Sequence, residues 1–223
     1  MTPPTNPGCV VLLSGGQDSA TCLALALKNH PKGVRALGFD YGQRHKIELI
    51  QAQKLADLAG VPFDIITLDW LGNITHNALT KPLTIEATSD HNQLPNTFVD
   101  GRNHLFLSVA AVYAKQYGLS TLYTGVCQTD FSGYPDCRND FIQSLEKTLS
   151  LAMAFPFDIQ TPLMWLTKSQ TVQLMAGLKK LAWYAETHTC YEGQRPACGE
   201  CPACLLRKKG FEEAGIPDPL PYR

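Results

Sequence analysis

Residues 12 to 21 read LLSGGQDSAT, where an apolar run meets two glycines and the chain turns at once to a helical pattern. Such a turn is suited to anions. The glycines let the backbone approach a phosphate with no Cβ in the way, their amides point at its oxygens, and the following helix N-terminus adds about half a positive charge. The residues that would form this cradle are Leu12, Leu13, Ser14, Gly15, Gly16, Gln17, Asp18, Ser19, Ala20 and Thr21, with Ser14 and Ser19 offering hydroxyl donors. Neither the Gly-Lys-Ser/Thr of a Walker loop nor GxGxxG is present, which excludes an ordinary NTPase or dinucleotide loop. The competing reading is a plain turn in which Asp18 or Ser19 serves only as a helix N-cap.

A second cluster lies near the other end. Cys190, Cys198, Cys201 and Cys204 are spaced C-x7-C-x2-C-x2-C, and Gly193, Pro196 and Gly199 allow the tight turns that would bring four sulfurs to one point. Four thiolates fit a closed tetrahedral zinc site, which would staple the C-terminal segment rather than catalyse. An iron-sulfur cluster is the main rival, although the closing C-x3-C-P of the bacterial ferredoxin run is missing, and disulfides are the third reading. The other cysteines, Cys9, Cys22, Cys127 and Cys137, are scattered singly.

These clusters need a scaffold to hold them. Near-continuous apolar runs at Cys9–Leu13, Val34–Phe39, Phe63–Leu68 and Thr121–Cys127 read as strands buried on both faces. Between and after them come helical patterns at Ser19–Asn29, Lys46–Ala59, Asn103–Tyr117, Asn139–Ala154 and Lys168–Leu181, with Gly33, Gly60 and Gly118 placed as C-caps of the first three. Alternation of strand and helix predicts an α/β fold: a Rossmann-like, doubly wound parallel sheet with a helical C-terminal part and the four-cysteine module. Leu71–Thr97 has no clear period and reads as a long loop.

Composition narrows the function. A chain of 223 residues with 44% hydrophobic side chains excludes a disordered or collagen-like protein, and a net charge of -1 makes no electrostatic case for a nucleic-acid partner. The N-terminus lacks a signal-peptide pattern, and the longest apolar stretch, Leu105–Ala114, is too short to span a bilayer. A soluble cytoplasmic protein without a membrane partner is expected.

Ser-Gly-Gly-x-Asp-Ser after a first strand resembles the PP-loop of the N-type ATP pyrophosphatases. Four further stretches are Asp40–His45 (DYGQRH), Gly101-Arg102-Asn103, Gly125–Arg138 (GVCQTDFSGYPDCR) and Cys190-Tyr191 leading to Cys198–Arg207. With the phosphate loop, in this order from Val10 to about Gly215, they resemble the 7-cyano-7-deazaguanine synthases, ligases of queuosine biosynthesis. Asp100 stands where that family more often has proline, and His188-Thr189 where Trp-Ser is common.

The resemblance implies an adenine nucleotide α-hydrolase-like fold, with a PP-loop domain over 1–185 and a zinc-binding segment over 186–223 packed on it. It implies that 7-carboxy-7-deazaguanine and ammonia become the nitrile through adenylated acid and amide, at the expense of ATP with Mg2+, and that a homodimer forms. Ser14, Asp18 and Ser19 would then act on the phosphates. Arg102, Arg138 and Lys168 are candidates to hold phosphates or the substrate carboxylate, each against a surface or structural reading. Asp130 or Asp136 would accept guanine-like N–H groups or make Asx-turns, Tyr41 and Phe131 would stack on a base or fill the core, and His45 would shuttle protons or be structural. His188 competes weakly as a metal ligand. No cysteine outside the cluster carries a Cys-His signature, so free ammonia is the expected nitrogen source.

Two rival functions stay open. A tRNA-thiolating enzyme would keep the loop and use Cys127 and Cys137 as nucleophiles. A zinc-ribbon binding module would account for the cysteines and leave the first 140 or so residues unexplained.

Overall fold

A computed structural model describes residues 8–43, 46–85, 94–129 and 133–223. Five parallel strands, β1 Cys9–Leu12, β2 Val34–Asp40, β3 Phe63–Thr67, β4 Thr121–Tyr123 and β5 Asp158–Gln160, lie in the order β3-β2-β1-β4-β5. Cys9 pairs with Val34 on one side and with Thr121 on the other, which makes β1 the centre of the sheet. The helices are α1 Gln17–Asn29, α2 Ile47–Ala59, α3 Trp70–Ile74, α4 Arg102–Gln116, α5 Asn139–Met153, α6 Lys168–Gly177 and α7 Pro202–Ala214.

Alternate residues of the central strands feed two cores, one on each face. Cys9, Val11 and Leu13 meet α1, α2, α6 and Phe211 of α7, whereas Val10, Leu37 and Phe39 meet α4 and α5. The inner stripe of α4, Leu107, Ala110, Ala111 and Ala114, follows helical spacing i, i+3, i+4, i+7 and has no exposed surface. Its alanines let the helix lie close to the sheet. Removing a buried leucine such as Leu107 should cost about 2–5 kcal/mol.

The strand order decides where a ligand can sit. After β3 the chain crosses to the other side of β1, so neighbouring connections from β1 and β4 diverge and leave a crevice at their C-terminal ends. The loops leaving β1 and β4 are the ones that carry the Ser14–Ser19 and Gly125–Arg138 sequences.

Several expectations need correction. The strand expected over Thr121–Cys127 pairs only through Tyr123, and β5 was not expected, because its three residues lie between Phe157 and a Thr-Pro pair and are too short for a pattern. β3 is not buried on both faces: it is an edge strand, half-exposed along its length. The helix expected to reach Leu181 ends at Gly177, and a 3-10 turn Leu181–Glu186 follows. Gly60 is the left-handed C-cap of α2, and Gly118, at φ 67°, follows the last residues of α4. Gly33 caps nothing, since α1 ends at His30, and instead its carbonyl accepts from Cys9 N–H at the start of β1. The region expected to be all loop contains α3, and its residues 86–93 lie outside the described residues. Among the described residues no helix is long and apolar enough to cross a membrane.

Candidate active site

A cavity of about 350 Å³ opens at the C-terminal ends of β1, β2 and β4. Its floor is the loop between β1 and α1. There the Ser14 and Ser19 hydroxyls bond each other at 3.2 Å, Ser19 Oγ donates to the Gly16 carbonyl at 3.0 Å, and Gly16 N–H donates to Ser14 Oγ at 3.3 Å. The helix begins from Gly16 with no side-chain cap, so Asp18 and Ser19 are not spent as N-caps and the first amides of α1 stay open to the cavity. Gly15 has φ +84°, and a Cβ there would lie 2.2 Å from the Glu48 carbonyl, so the turn requires glycine for both conformation and space.

Asp18 and Lys168 meet across the loop, Nζ to Oδ2 at 2.6 Å, with the lysine side chain only 12% exposed. Lys168 is the first residue of α6, whose start is set by a reciprocal capping box between Thr167 and Gln170. Gly210 of α7 makes room for it, since a Cβ at 210 would approach the Lys168 Cβ to 2.5 Å. The second oxygen of Asp18 is buried and has no hydrogen-bond partner. It is a donor of the kind a divalent cation takes up.

The opposite wall is cationic. Arg102 opens α4 and lies 5.9 Å from the ring centres of both Tyr41 and Tyr134. Burial works against its charge, but Tyr41, Tyr134, Asp136 and Cys137 around it outweigh that and hold the guanidinium firmly protonated. Asp136 is itself anchored, accepting from Asn103 N–H at 3.2 Å, and burial lifts its carboxyl above the usual range while Arg102 opposes. Stacked Phe39 and Phe106, with ring centres 4.2 Å apart, give the cavity a flat apolar wall.

Of the residues singled out in the sequence, Leu12, Leu13, Ser14, Gly16, Gln17, Asp18, Ser19, Arg102 and Lys168 line this cavity, and Tyr41 lines it with its ring buried. Three cradle residues do not. Gly15 faces away against α2, while Ala20 and Thr21 are fully buried in the core under the loop, where Thr21 Oγ1 meets Tyr184 Oη at 2.6 Å. Arg138 is exposed ahead of α5 and is not among the cavity's lining residues. Arg44, His45, Asp130 and Phe131 lie outside the described residues.

Four contributors received no role in the sequence reading, although Tyr134, Tyr191 and Arg207 stand in stretches it singled out. Glu48, in the first turn of α2, lines the cavity; burial pushes its carboxyl up to about 7, while Arg102 pulls it down. Tyr134 and Tyr191 also line it. The fourth is Arg207, fully buried, which holds Asp218 bidentately at 2.8 Å for each bond and also bonds Thr187, Thr189 and the Tyr184 carbonyl. Glu48 falls within the helical pattern Lys46–Ala59 with nothing to set it apart, and nothing local distinguishes Arg207 from a surface arginine.

The sulfurs of Cys190, Cys198, Cys201 and Cys204 converge within 4.8 Å of one another. Backbone amides of Cys201 and Glu200 donate to Cys198 Sγ at 3.3 and 3.4 Å, and that of Cys198 to Cys190 Sγ at 3.4 Å, as suits thiolates. Cys201 is the N-cap of α7, with Pro202 in the first helical position. This closed, four-sulfur set fits a tetrahedral structural metal. His188 is not part of it. Its backbone N–H donates to the Gly15 carbonyl at 2.8 Å, tying the module to the phosphate loop.

The two cysteines that a thiolating enzyme would need also reach the cavity, but burial pushes the Cys137 thiol up to about 12, with Asp136 adding to it. Cys127 Sγ lies 3.3 Å from the Leu166 carbonyl.

The family model for the queuosine biosynthesis protein QueC matches residues 8–215. A 7-cyano-7-deazaguanine synthase from Chromobacterium violaceum is 50% identical over 220 residues, which cover 96% of this chain and 93% of that protein. Among solved structures, the U34-tRNA thiolase NcsA from Methanococcus maripaludis, determined with its 4Fe-4S cluster, aligns with a TM-score of 0.50 and 14% identity over 93% of this chain. This chain spans 64% of the thiolase, and the likeness is one of fold alone. With the glycine loop Ser14–Ser19 at the switch point of a parallel sheet, a four-cysteine module beside it, and a family match over nearly its whole length, the chain belongs to the QueC family of queuosine biosynthesis proteins.

Proposed function

We propose that this chain is a cytoplasmic, ATP-dependent ligase that converts 7-carboxy-7-deazaguanine and ammonia to 7-cyano-7-deazaguanine. The observation that carries it is the meeting, in one cavity, of an uncapped helix N-terminus behind Ser14–Ser19 with Arg102 on the facing wall, in a chain half identical to a synthase of that name. The relevant unit is a PP-loop domain over 1–185 with the segment 186–223 packed on it.

A carboxylate oxygen leaves poorly, and transfer of AMP to it makes a leaving group. The amides of residues 16–19 and the Ser14 and Ser19 hydroxyls receive the departing pyrophosphate, and Lys168, steadied by Asp18, offsets its charge. Arg102 orients the acid, since a guanidinium matches a carboxylate with two parallel hydrogen bonds. The Phe39–Phe106 wall accepts a flat heterocycle. Two adenylations follow, one for each oxygen lost on the way from acid through amide to nitrile. Magnesium, when bound, neutralises phosphate charge, and Asp18 would hold it through its unpartnered oxygen. Zinc at Cys190, Cys198, Cys201 and Cys204 would be structural, with no open coordination position.

A thiolation reading is disfavoured because a thiol held near 12 is protonated at neutral pH and a poor nucleophile. The test is product analysis with purified chain, ATP, the deazaguanine acid and ammonium salt, with no RNA present. AMP, pyrophosphate and nitrile are expected. ADP and inorganic phosphate as products, or an absolute need for tRNA, would refute the reading.

A further inference from the structure

Two carboxylates line the cavity among the described residues, Asp18 and Glu48. Asp18 is committed to Lys168, whereas the Glu48 carboxyl makes no hydrogen bond or ion pair with another described residue. The backbone of α2 at Glu48 is fixed against the phosphate loop, since a Cβ on Gly15 would come within 2.2 Å of the Glu48 carbonyl. Glu48 lines the same cavity as Ser14, Ser19 and Arg102, so its carboxylate shares the space in which an acid held by Arg102 would be adenylated.

We infer that Glu48 accepts the proton that nitrogen must lose when ammonia attacks the adenylated carboxyl carbon. This role rests on the ligase reading above. The nitrogen lone pair forms the C–N bond, the bond from carbon to the AMP oxygen breaks, and AMP departs with that electron pair. The nitrogen, left with three hydrogens and a positive charge, gives one proton to a Glu48 oxygen and becomes the amide.

The surroundings suit the task. Arg102 on α4 and Tyr41 after β2 face Glu48, and the other described titratable groups lining this cavity or adjoining Arg102 are Asp18 on α1, Lys168 on α6, Cys127 after β4, Tyr134, Asp136 and Cys137 before α5, and His188, Cys190, Tyr191 and Arg207. Burial places the carboxyl near neutrality, where a general base is most effective, contributing about 10²–10⁴-fold. A carboxylate that instead recognised the guanine-like N–H edge would act on acid binding and hence on adenylation.

The experiment separates those steps. Wild type, Glu48→Gln and Glu48→Asp chains, each with metal bound, are compared in two readings: pyrophosphate released in the first turnover from ATP and acid without ammonia, and kcat/KM for neutral ammonia between about pH 6 and 9. Glu48→Gln should lower the ammonia step at least ~100-fold and adenylation by less than ~10-fold, and it should erase a rising limb near pH 7, while Glu48→Asp recovers part of the rate. Equal losses in both steps, or an ammonia step within about threefold of wild type, would overturn the assignment. A wild-type chain that released no pyrophosphate would overturn the ligase reading and this role together.

Discussion

The hydrogen bonds that close the phosphate loop on itself join residues at most five apart, Ser14 to Ser19 and Gly16, and their donors and acceptors are hydroxyls and backbone groups. The cysteine module beside it is held by the opposite arrangement. Arg207 reaches Asp218 in one direction and Thr187, Thr189 and Tyr184 in the other, as far as 23 residues away, and the four sulfurs come from a 15-residue span folded back on itself. The loop owes its shape to neighbours in the chain and two close backbone approaches. The module owes its shape to buried charge and to a point where thiolates converge. Damage to the loop should therefore appear first in chemistry, and damage to the module first in folding, with the His188–Gly15 bond as a direct path between them.

Removing a sulfur should have the largest effect. Cys204→Ser is expected to lose the metal, from one per chain to none by elemental analysis, and to lower stability by more than ~3 kcal/mol, because metal binding at a site absent from the unfolded chain is folding free energy. Cys9→Ser, equally buried but outside the cluster, should keep the metal and lose about 1–3 kcal/mol. Equal losses would erase the distinction drawn between the regions.

Next comes Arg207→Ala. It leaves Asp218 buried and unpaired, so about 3–5 kcal/mol should be lost in urea unfolding. The KM for ATP should rise with it if Thr187–Thr189 carry the disturbance to Gly15. Asp18→Ala is the converse. Turnover should fall about 10²–10³-fold, some 3–4 kcal/mol of transition-state stabilisation, while metal content stays at the wild-type value.

The smallest effect is a difference in sign with pH. Asp218 is buried, which raises its carboxyl, but the Arg207 fork outweighs this and holds it below the ordinary range; its contribution is present above the unfolded value near 3.8 and is lost as pH falls through the folded value. Glu48 is raised from 4.5 to about 7, so the folded chain holds the extra proton and stability falls as pH rises across that interval. Glu48→Gln should thus be more stable than wild type at pH 8, on the order of 1–3 kcal/mol, with little difference at pH 4. Parallel pH curves for the two chains would show that Glu48 is solvated in the folded state.

Much of this molecule could be read from runs of adjacent residues. Ser14–Ser19 announces its turn because strand, glycines and helix start are contiguous, and the spacing of Cys190–Cys204 announces a metal set because thiolates so close in sequence can converge with local turns alone. Strand-helix alternation likewise predicts a parallel sheet, since buried strands and amphipathic helices have different periods. What the chain could not disclose depends on partners far apart in sequence. The order β3-β2-β1-β4-β5 follows from which helices cover which face, and it alone brings Gly125 and Arg102 beside the loop. Lys168 meets Asp18 across 150 residues, and Ala20 and Thr21, adjacent to the cradle in sequence, turn into the core because a helix presents successive residues about 100° apart. Arg207 and Glu48 look like ordinary helical charges until tertiary packing removes their water, and it is desolvation, which no local pattern encodes, that makes one a structural clamp and the other a titrating group near neutrality.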